Sequence, residues 1–206
     1  GSRKQATVRN ALTLLEQVAE RQPSAVARAA PRLVKLLGSR DANIPERASQ
    51  MLILAGAAGV EAVPRLLLRP LVARKVDPDL KLHAILTAQQ LAKRQPKQFA
   101  PAVRHLAQDL SHQRWEIREQ AALLLGIIGR NNIGLVKEAV PSLAHALKDG
   151  DELVRTAAVK AMEGIRVSSL DYGAIQKASA VLESARGVIH SAQNFGVATG
   201  QADKLL

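Results

Sequence analysis

Residues 139–165 read AVPSLAHALKDGDELVRTAAVKAMEGI, and this stretch decides the fold. Pro141 opens one helical pattern, the polar run 148–151 interrupts it, and a second helical pattern follows. Apolar residues recur at helical spacing on one face of each segment: Leu143 and Leu147, then Val154, Ala158, Met162 and Ile165. Neither helix can bury such a stripe alone, so this helical hairpin needs similar neighbours.

The chain contains further copies of this hairpin. A small residue lies four positions after the start of each second helix, at Ala11, Ala48, Ala84, Ala121 and Ala158, in steps of 37, 36, 37 and 37 residues. A proline stands two positions before an apolar residue of each first helix, at Pro31, Pro64, Pro101 and Pro141. A fixed period of this size with two helices per unit predicts an α-solenoid.

The copy at 141–165 resembles the HEAT repeat, whose pattern is P-x-L, a turn with Asp, and V-R-x-x-A-x-x-A-x-x-G-I. The matching residues are Pro141, Leu143, Asp149, Asp151, Val154, Arg155, Ala158, Ala161, Gly164 and Ile165. Residues 101–127 match through Pro101, Val103, Leu106, Ile117, Arg118 and Ala121. Two other copies match less well, with Pro45 or Lys81 where the family has Arg.

The resemblance implies an all-α, right-handed α-solenoid of about four to five HEAT hairpins. It also implies a non-catalytic scaffold for protein–protein interaction. In such arrays the basic residue after the start of the second helix, here Lys81, Arg118 or Arg155, forms a ladder with turn aspartates of neighbouring repeats. The fold is shared by proteins with unrelated tasks, so the partner has to be inferred from surface residues.

We expect three regions: a tag scar at 1–2, the repeat array at 3–167, and a C-terminal helix with a frayed end at 168–206. The chain opens inside a second-helix pattern, so we expect it to be cut from a longer protein. Within the array, helices are predicted at 4–21, 24–37, 43–57, 59–75, 80–94, 97–110, 115–129, 133–147 and 151–165, with Pro70 breaking or kinking its helix.

The repeat period fails after Ser168 and Ser169. Apolar residues then follow a 3-4 spacing that predicts one long helix over 173–197, at Ile175, Ala178, Leu182, Ala185, Ile189 and Ala192. This helix either caps the end of the array or serves self-association.

The amino-acid composition restricts which residues can form the hydrophobic core, and it bears on the cellular compartment in which the protein is expected. Hydrophobic residues make up 47% and aromatic residues 2%, so Leu, Val, Ile and Ala must form the core. Cysteine is absent, which excludes disulfides and thiolate metal sites. Neither a long apolar run nor a signal-peptide pattern occurs. We therefore expect an intracellular protein, cytoplasmic or nuclear (nucleoid in a bacterium).

The sequence predicts neither an enzyme nor a cofactor. It lacks the motifs of phosphate-binding loops, dinucleotide sites, zinc proteases and serine hydrolases. His105 and His145 occupy equivalent first-helix positions, each with Asp109 or Asp149 four residues on. These groups could surround a metal, but the aspartates fit the turns, and we assign no metal ligand. A bilin-lyase-like role, suggested by short Ala-rich HEAT copies in that family, has no supporting cysteine.

Basic charge is concentrated in the N-terminal half. Residues 1–104 hold 18 Lys/Arg against 7 Asp/Glu, which accounts for the whole net charge of +11. The candidate partner-binding residues, here named the basic set, are Arg28, Arg32, Lys35, Arg65, Arg69, Arg74, Lys75, Lys93, Arg94 and Lys97. This set predicts an acidic partner, most simply another protein. A nucleic-acid backbone is the alternative, although Phe99 is the only aromatic residue in this half.

Trp115 lies at a turn within a repeat, in the string RWEIREQA. It either covers the neighbouring repeat or is an exposed anchor for a partner. The string is similar to one in tubulin-binding TOG domains, which are HEAT arrays, so a TOG-like function is a further alternative. The TOG Trp lies in an early repeat, whereas Trp115 lies in the fourth.

Overall fold

The computed structural model describes residues 2–41, 43–130 and 132–165, the first three by their backbone alone. All regular structure in these ranges is helical. The α-helices are α1 (Ser2–Arg21), α2 (Ala30–Leu36), α3 (Asn43–Ala57), α4 (Ala62–Val72), α5 (Pro78–Ala92), α6 (Val103–Asp109), α7 (Trp115–Gly129), α8 (Val140–Ala146) and α9 (Glu152–Gly164). Short 3₁₀ helices cover Pro23–Arg28, Pro96–Ala102, Ile133–Leu135 and Lys137–Ala139.

The helices form two parallel rows. The second helices of the hairpins, α1, α3, α5, α7 and α9, pack against one another in that order. The first helices, α2, α4, α6 and α8, form the other row, and each also packs against the second helix of its own hairpin. Contacts between sequence neighbours, without closure on a single centre, confirm the predicted α-solenoid.

Small residues set the separation within the row of second helices. Ala48, Ala84, Ala121 and Ala158 are all fully buried, as the period predicts. A Cβ placed on Gly126 would lie 2.6 Å from the Cα of Ala161, so α7 and α9 touch through their backbones. Alanine and glycine at these places let second helices approach closely and bury the branched residues beside them.

The prediction for the first copy is wrong by one residue. Ala11 is exposed, whereas Leu12 is only 3% exposed, and Val8, Leu15 and Ala19 share its buried face. The second-helix start is therefore Val8 rather than Thr7. In the described ranges α1 packs against one second helix, α3, whereas α3, α5 and α7 each pack against two, so fewer α1 residues must be small.

Three of the first helices, α2, α6 and α8, are shorter than predicted because 3₁₀ turns replace their beginnings. The α-helical part starts next to the repeat proline in α2 and α8 and two residues after Pro101 in α6. Pro31 and Pro141 lie in the first turn of α2 and α8, where a missing N–H has no intrahelical acceptor to lose. Pro70 does not break α4, which continues to Val72. The predicted bounds 43–57 and 115–129 agree with α3 and α7.

The assignments for 168–206, including the helix over 173–197, lie outside the described residues. Within the described ranges, every helix is too short or too polar to cross a lipid bilayer.

Candidate binding surface

One class of basic residue is fixed inside the array. Arg118 on α7 forms a bidentate salt bridge with Asp149 in the next turn. The Nε–Oδ2 and Nη2–Oδ1 distances are both 2.8 Å. Its Nη1 donates to the carbonyls of His112 and Gln113 at 3.0 and 3.2 Å. Burial alone would raise the pKa of Asp149. The hydrogen bonds from Arg118 and the Asp151 N–H outweigh burial and hold that pKa below its ordinary value.

The equivalent pair one repeat earlier is buried. Lys81 Nζ lies 2.5 Å from Asp109 Oδ1, and each side chain is 8% exposed. Burial raises the pKa of Asp109, although the hydrogen bond and charge of Lys81 oppose the rise. Asp109 Oδ2 has no hydrogen-bond partner within the described ranges, which fits a carboxyl that is expensive to keep ionised there.

The ladder also occurs at the N-terminal end, where the sequence prediction missed it. Arg9 Nε lies 3.2 Å from Asp41 Oδ2 in the next turn. Asp41 stands three residues before Ile44, as Asp151 stands three before Val154, so Arg9 pairs with the counterpart of Asp151 rather than of Asp149. The dipeptide Val8-Arg9, which repeats Val154-Arg155, was the available signal. Pro45 interrupts the ladder at the next junction.

Arg47 makes a different link across the junction of α1 and α3. Its Nε and Nη2 each lie 2.7 Å from one oxygen of Glu16. The hydrogen bond from Arg47 is the main reason that the pKa of Glu16 is lowered. The ladder implied by the HEAT resemblance is thus present in this protein, with one gap and one additional pair.

Arg155, on the last described helix, repeats half of the Arg118 arrangement. Its Nη1 donates to the carbonyls of Asp149 and Gly150 at 2.8 and 3.0 Å, as Arg118 does in its own turn. Its Nε is buried and has no hydrogen-bond partner among the residues the structure describes. In the described ranges, the Nε that Arg118 directs at a carboxylate thus has no counterpart bond on Arg155.

The basic set forms the second class of cation. All ten residues are exposed, and within the described ranges none of them forms a salt bridge. Lys93 donates to the side chain of Gln90 at 2.8 Å, which leaves its charge unpaired. These cations therefore differ from those of the ladder in having no carboxylate partner in the described ranges.

The fold divides the basic set among three places. Arg32, Lys35, Arg65 and Arg69 lie on α2 and α4, neighbouring first helices, and Arg28 ends the 3₁₀ turn before α2. We name these five the first-helix strip. Arg74 and Lys75 lie in the turn within a hairpin, whereas Lys93, Arg94 and Lys97 lie in the loop between two hairpins. In a row of antiparallel hairpins these two kinds of connection lie at opposite edges, so the ten residues do not form one patch.

A groove with an apolar floor lies beside the first-helix strip. Its volume is about 770 Å³, and it runs between α1 and the α2 segment. The apolar lining residues are Val8, Ala11, Leu12, Leu15, Ala29, Leu33 and Leu36. Arg32 and Lys35 complete the lining, and both are exposed.

The histidine–aspartate pairs are not brought together as a metal site. Asp109 is engaged by Lys81 and Asp149 by Arg118. In the ranges that the structure describes, no group of three or more His, Asp or Glu side chains is arranged to hold a metal ion.

Trp115 begins α7 and is 38% exposed. The adjacent Arg114 is fixed by Asp79, at 2.6 Å, and contacts Glu116 at 3.4 Å. This turn therefore presents a partly exposed indole next to an arginine whose side chain is held by two carboxylates.

Comparison with known proteins places the chain in a family. A sequence profile for HEAT repeats matches residues 66–163 and, in an overlapping alignment, 105–188. A crystal structure of an engineered protein has a TM-score of 0.52 at 19% identity, covering 80% of this chain and 83% of that one. A second engineered protein has a TM-score of 0.57 at 20% identity, covering 85% and 86%. These two similarities show the fold alone, and no match was found among curated proteins. The profile covers more than half of the sequence, and the chain belongs to the HEAT-repeat family.

Proposed function

We propose that this protein is a non-catalytic scaffold that binds an acidic surface of another protein through its first-helix strip. HEAT arrays generally form protein-interaction scaffolds. The observation that carries the proposal is the contrast between its two classes of cation. Arg9, Arg47, Lys81 and Arg118 are paired with carboxylates of the array, whereas the strip is exposed and has no carboxylate partner in the described ranges.

The strip suits a protein better than it suits a nucleic acid. Binding to single-stranded nucleic acid commonly adds stacking of bases on aromatic side chains. Phe99, the only aromatic residue of the N-terminal half, is fully buried and cannot provide it. A phosphate backbone needs only positioned cations, so duplex nucleic acid remains the alternative that the experiment has to separate.

The test compares two triple variants with the same change in net charge. One reverses Arg32, Arg65 and Arg69 to Glu, and the other reverses Arg130, Lys148 and Lys160, which are exposed residues of the C-terminal half. Immobilised poly-glutamate and duplex DNA serve as the two probes. We expect the strip variant to elute from poly-glutamate at clearly lower salt than the control variant.

Three outcomes would contradict the proposal. Equal elution of the two variants would mean that net charge, not the strip, sets retention. Retention on DNA alone, lost in the strip variant, would favour the nucleic-acid alternative. Failure of the unmodified protein to bind either polymer at low salt would remove both.

Trp115 supports one further candidate, the TOG-like function. It is a large, partly exposed aromatic residue at a turn within a hairpin, and such residues often anchor partners. Under this alternative, Trp115→Ala abolishes co-sedimentation with tubulin polymers and reversal of the first-helix strip does not. The opposite pattern favours the strip.

A further inference from the structure

We infer that the array has a second binding site, which takes an extended acidic segment of a partner protein with an apolar residue at every third position. The site consists of two neighbouring notches at the C-terminal ends of α3, α5 and α7, on the edge formed by the loops between hairpins. It goes beyond the proposed function, because it is separate from the first-helix strip. It involves Lys93, Arg94 and Lys97, cations of the basic set that the strip does not include.

Each notch lies between the ends of two neighbouring second helices and has an apolar floor. The first notch, of about 360 Å³, lies between Leu54 of α3 and Leu91 of α5. The second, of about 280 Å³, lies between α5 and α7 and is lined by Ile127 and Leu135. Leu54 is 45% exposed, so its apolar surface is available to a ligand. Volumes this small suit one or two side chains rather than a cofactor.

The rim of the two notches is cationic. The rim residues are Lys93, which lines both notches, Arg94 in the first, and Lys97 and Arg130 in the second. All four are exposed, and none forms a salt bridge within the described ranges. The exposed carboxylates of Glu61 and Glu138, in other loops of this edge, line neither notch. A ligand therefore gains by bringing carboxylates to the rim and apolar side chains to the floor.

The distance between second helices indicates an extended ligand. Helices in contact lie about 8–10 Å apart. The contact of α3 with α5 is close at this end, because a Cβ placed on Gly56 would lie 2.6 Å from Leu91 Cδ2. A polyproline II segment has three residues per turn and advances about 9 Å per turn, so every third side chain lies on the same face. Apolar residues three positions apart can therefore enter successive notches.

Amide side chains beside the notches fit the backbone of such a segment. Gln90 and Gln95 line the first notch, and Asn132 lines the second. The polyproline II conformation has no internal hydrogen bonds, so its N–H and C=O groups are free to bond to these amides. The backbone groups of a docked α-helix are already paired with one another. A nucleic-acid strand would leave the apolar floors uncovered.

Fluorescence anisotropy measures binding of a fluorescein-labelled test peptide to the full chain at low salt. The test peptide has about ten residues, with two leucines three positions apart and Glu or Pro elsewhere. One control peptide has the same composition with the two leucines adjacent, and another has Lys in place of Glu. We expect each control peptide to bind about tenfold or more weakly than the test peptide.

An uncharged substitution tests the apolar floor. Leu54→Gln removes the leucine from the first notch and introduces the residue that α5 has at the equivalent position, Gln90, so the helix should tolerate it. It should weaken binding of the test peptide about threefold to tenfold. The matched control is Leu153→Gln on α9, where the leucine is 49% exposed and lines neither notch. This control should change the dissociation constant by less than about twofold.

Charge reversal tests the rim. Lys93→Glu with Lys97→Glu should weaken binding of the test peptide about tenfold or more. Lys148→Glu with Lys160→Glu makes the same change in net charge at exposed residues outside both notches, and should weaken binding by less than about threefold. Circular dichroism confirms that all variants keep their helical content.

The outcomes separate this inference from the proposed function. Equal binding of the peptide with adjacent leucines, or no effect of Leu54→Gln, would overturn the notch site and leave the first-helix strip as proposed. If the triple reversal of Arg32, Arg65 and Arg69 weakens the test peptide as much as reversal of the rim, the peptide binds the strip and the notch site is refuted. If the notch variants behave as expected while the strip variant elutes normally from poly-glutamate, the proposed function fails and this inference stands.

Two further probes identify other occupants. A helical peptide with leucines seven positions apart also spans about 10 Å. Tighter binding of that peptide than of the test peptide would replace the extended segment by a helix and overturn the inference. Vesicles containing phosphatidylserine test for a membrane. Sedimentation with these vesicles that Leu54→Gln and the rim reversal abolish, without binding of the test peptide, would assign this edge to a lipid surface.

Discussion

At the scale of single residues, the pair of Lys81 and Asp109 shows the balance between Coulomb attraction and desolvation. Both side chains are buried, so the attraction between them must offset the loss of hydration of two ions. Replacing Asp109 alone by Leu leaves Lys81 buried and unpaired, and we expect a loss of about 3–5 kcal/mol in the free energy of unfolding.

The double variant Lys81→Met with Asp109→Leu removes both charges and keeps approximately the same volume. Its stability should lie within about 1 kcal/mol of the original protein or exceed it by up to about 4 kcal/mol. Urea denaturation of the single and double variants measures these values. A double variant as unstable as Asp109→Leu would show that the pair is a net source of stability.

Asp149 makes stability depend on pH. Its pKa is lowered in the folded protein, so its contribution is complete above the ordinary value of about 4 and is lost as the pH falls through the folded value. Asp149→Asn should cost about 1.5–3 kcal/mol at pH 7, where Arg118 loses its charged partner. The difference between the two proteins should shrink below about pH 4.

Unfolding measured from pH 7 to pH 3 checks this expectation. Glu138→Gln is the control, because Glu138 is exposed and no hydrogen bond or salt bridge is seen for it in the described ranges. It should leave the stability curve unchanged to within about 0.5 kcal/mol. A penalty for Asp149→Asn that is independent of pH would contradict an electrostatic origin.

At the scale of helices, the contact of α7 with α9 depends on Gly126. Alanine ordinarily stabilises a helix interior by about 1 kcal/mol relative to glycine. Here the new Cβ would lie 2.6 Å from the Ala161 Cα, and a backbone atom cannot move aside as a flexible side chain can. We therefore expect Gly126→Ala to destabilise the protein by about 1–3 kcal/mol, against helix propensity.

Gly150→Ala is the matched control. No atom lies within 4 Å of the added Cβ, so the stability should change by less than about 0.5 kcal/mol. Thermal unfolding of the two variants is sufficient. A Gly126→Ala protein that is more stable than the original would mean that α7 and α9 can separate at little cost.

The helical elements also show which features were predictable from sequence. Ala48, Ala84, Ala121 and Ala158 could be found because each lies between two second-helix neighbours and must be small. The prediction for Ala11 was wrong because, among the described helices, α1 packs against one second helix only, and the larger Leu12 takes the buried position. The groove could not be predicted, because its walls come from two helices whose relative position depends on the 3₁₀ turn after Arg21.

At the scale of the whole molecule, Arg155 holds a ladder position for which the described part of the chain supplies no carboxylate at Nε. Arg155 holds two carbonyls of its own turn as Arg118 does, but its buried Nε has no partner in the described part of the chain. Beyond the described residues the sequence holds three Asp or Glu side chains, those of Asp171, Glu183 and Asp203. The HEAT profile extends to residue 188, past the last described helix. We expect one of these carboxylates to pair with Arg155, as Asp149 pairs with Arg118.

Replacing arginine by lysine tests the bidentate contact of the guanidinium with a carboxylate, because lysine keeps the positive charge but cannot form two parallel hydrogen bonds. Arg118→Lys, whose carboxylate partner is Asp149, gives the reference loss, about 1–3 kcal/mol. In the full chain Arg155→Lys should lose a similar amount, and neutralising the correct carboxylate should remove that difference in a double-mutant cycle. In a chain that ends at an amidated Ile165 the same substitution should cost much less, because Asp171, Glu183 and Asp203 are then absent. Equal losses in the two chains would show that Arg155 acts only through the carbonyls of its own turn, and that residues 166–206 leave this edge of the array uncovered.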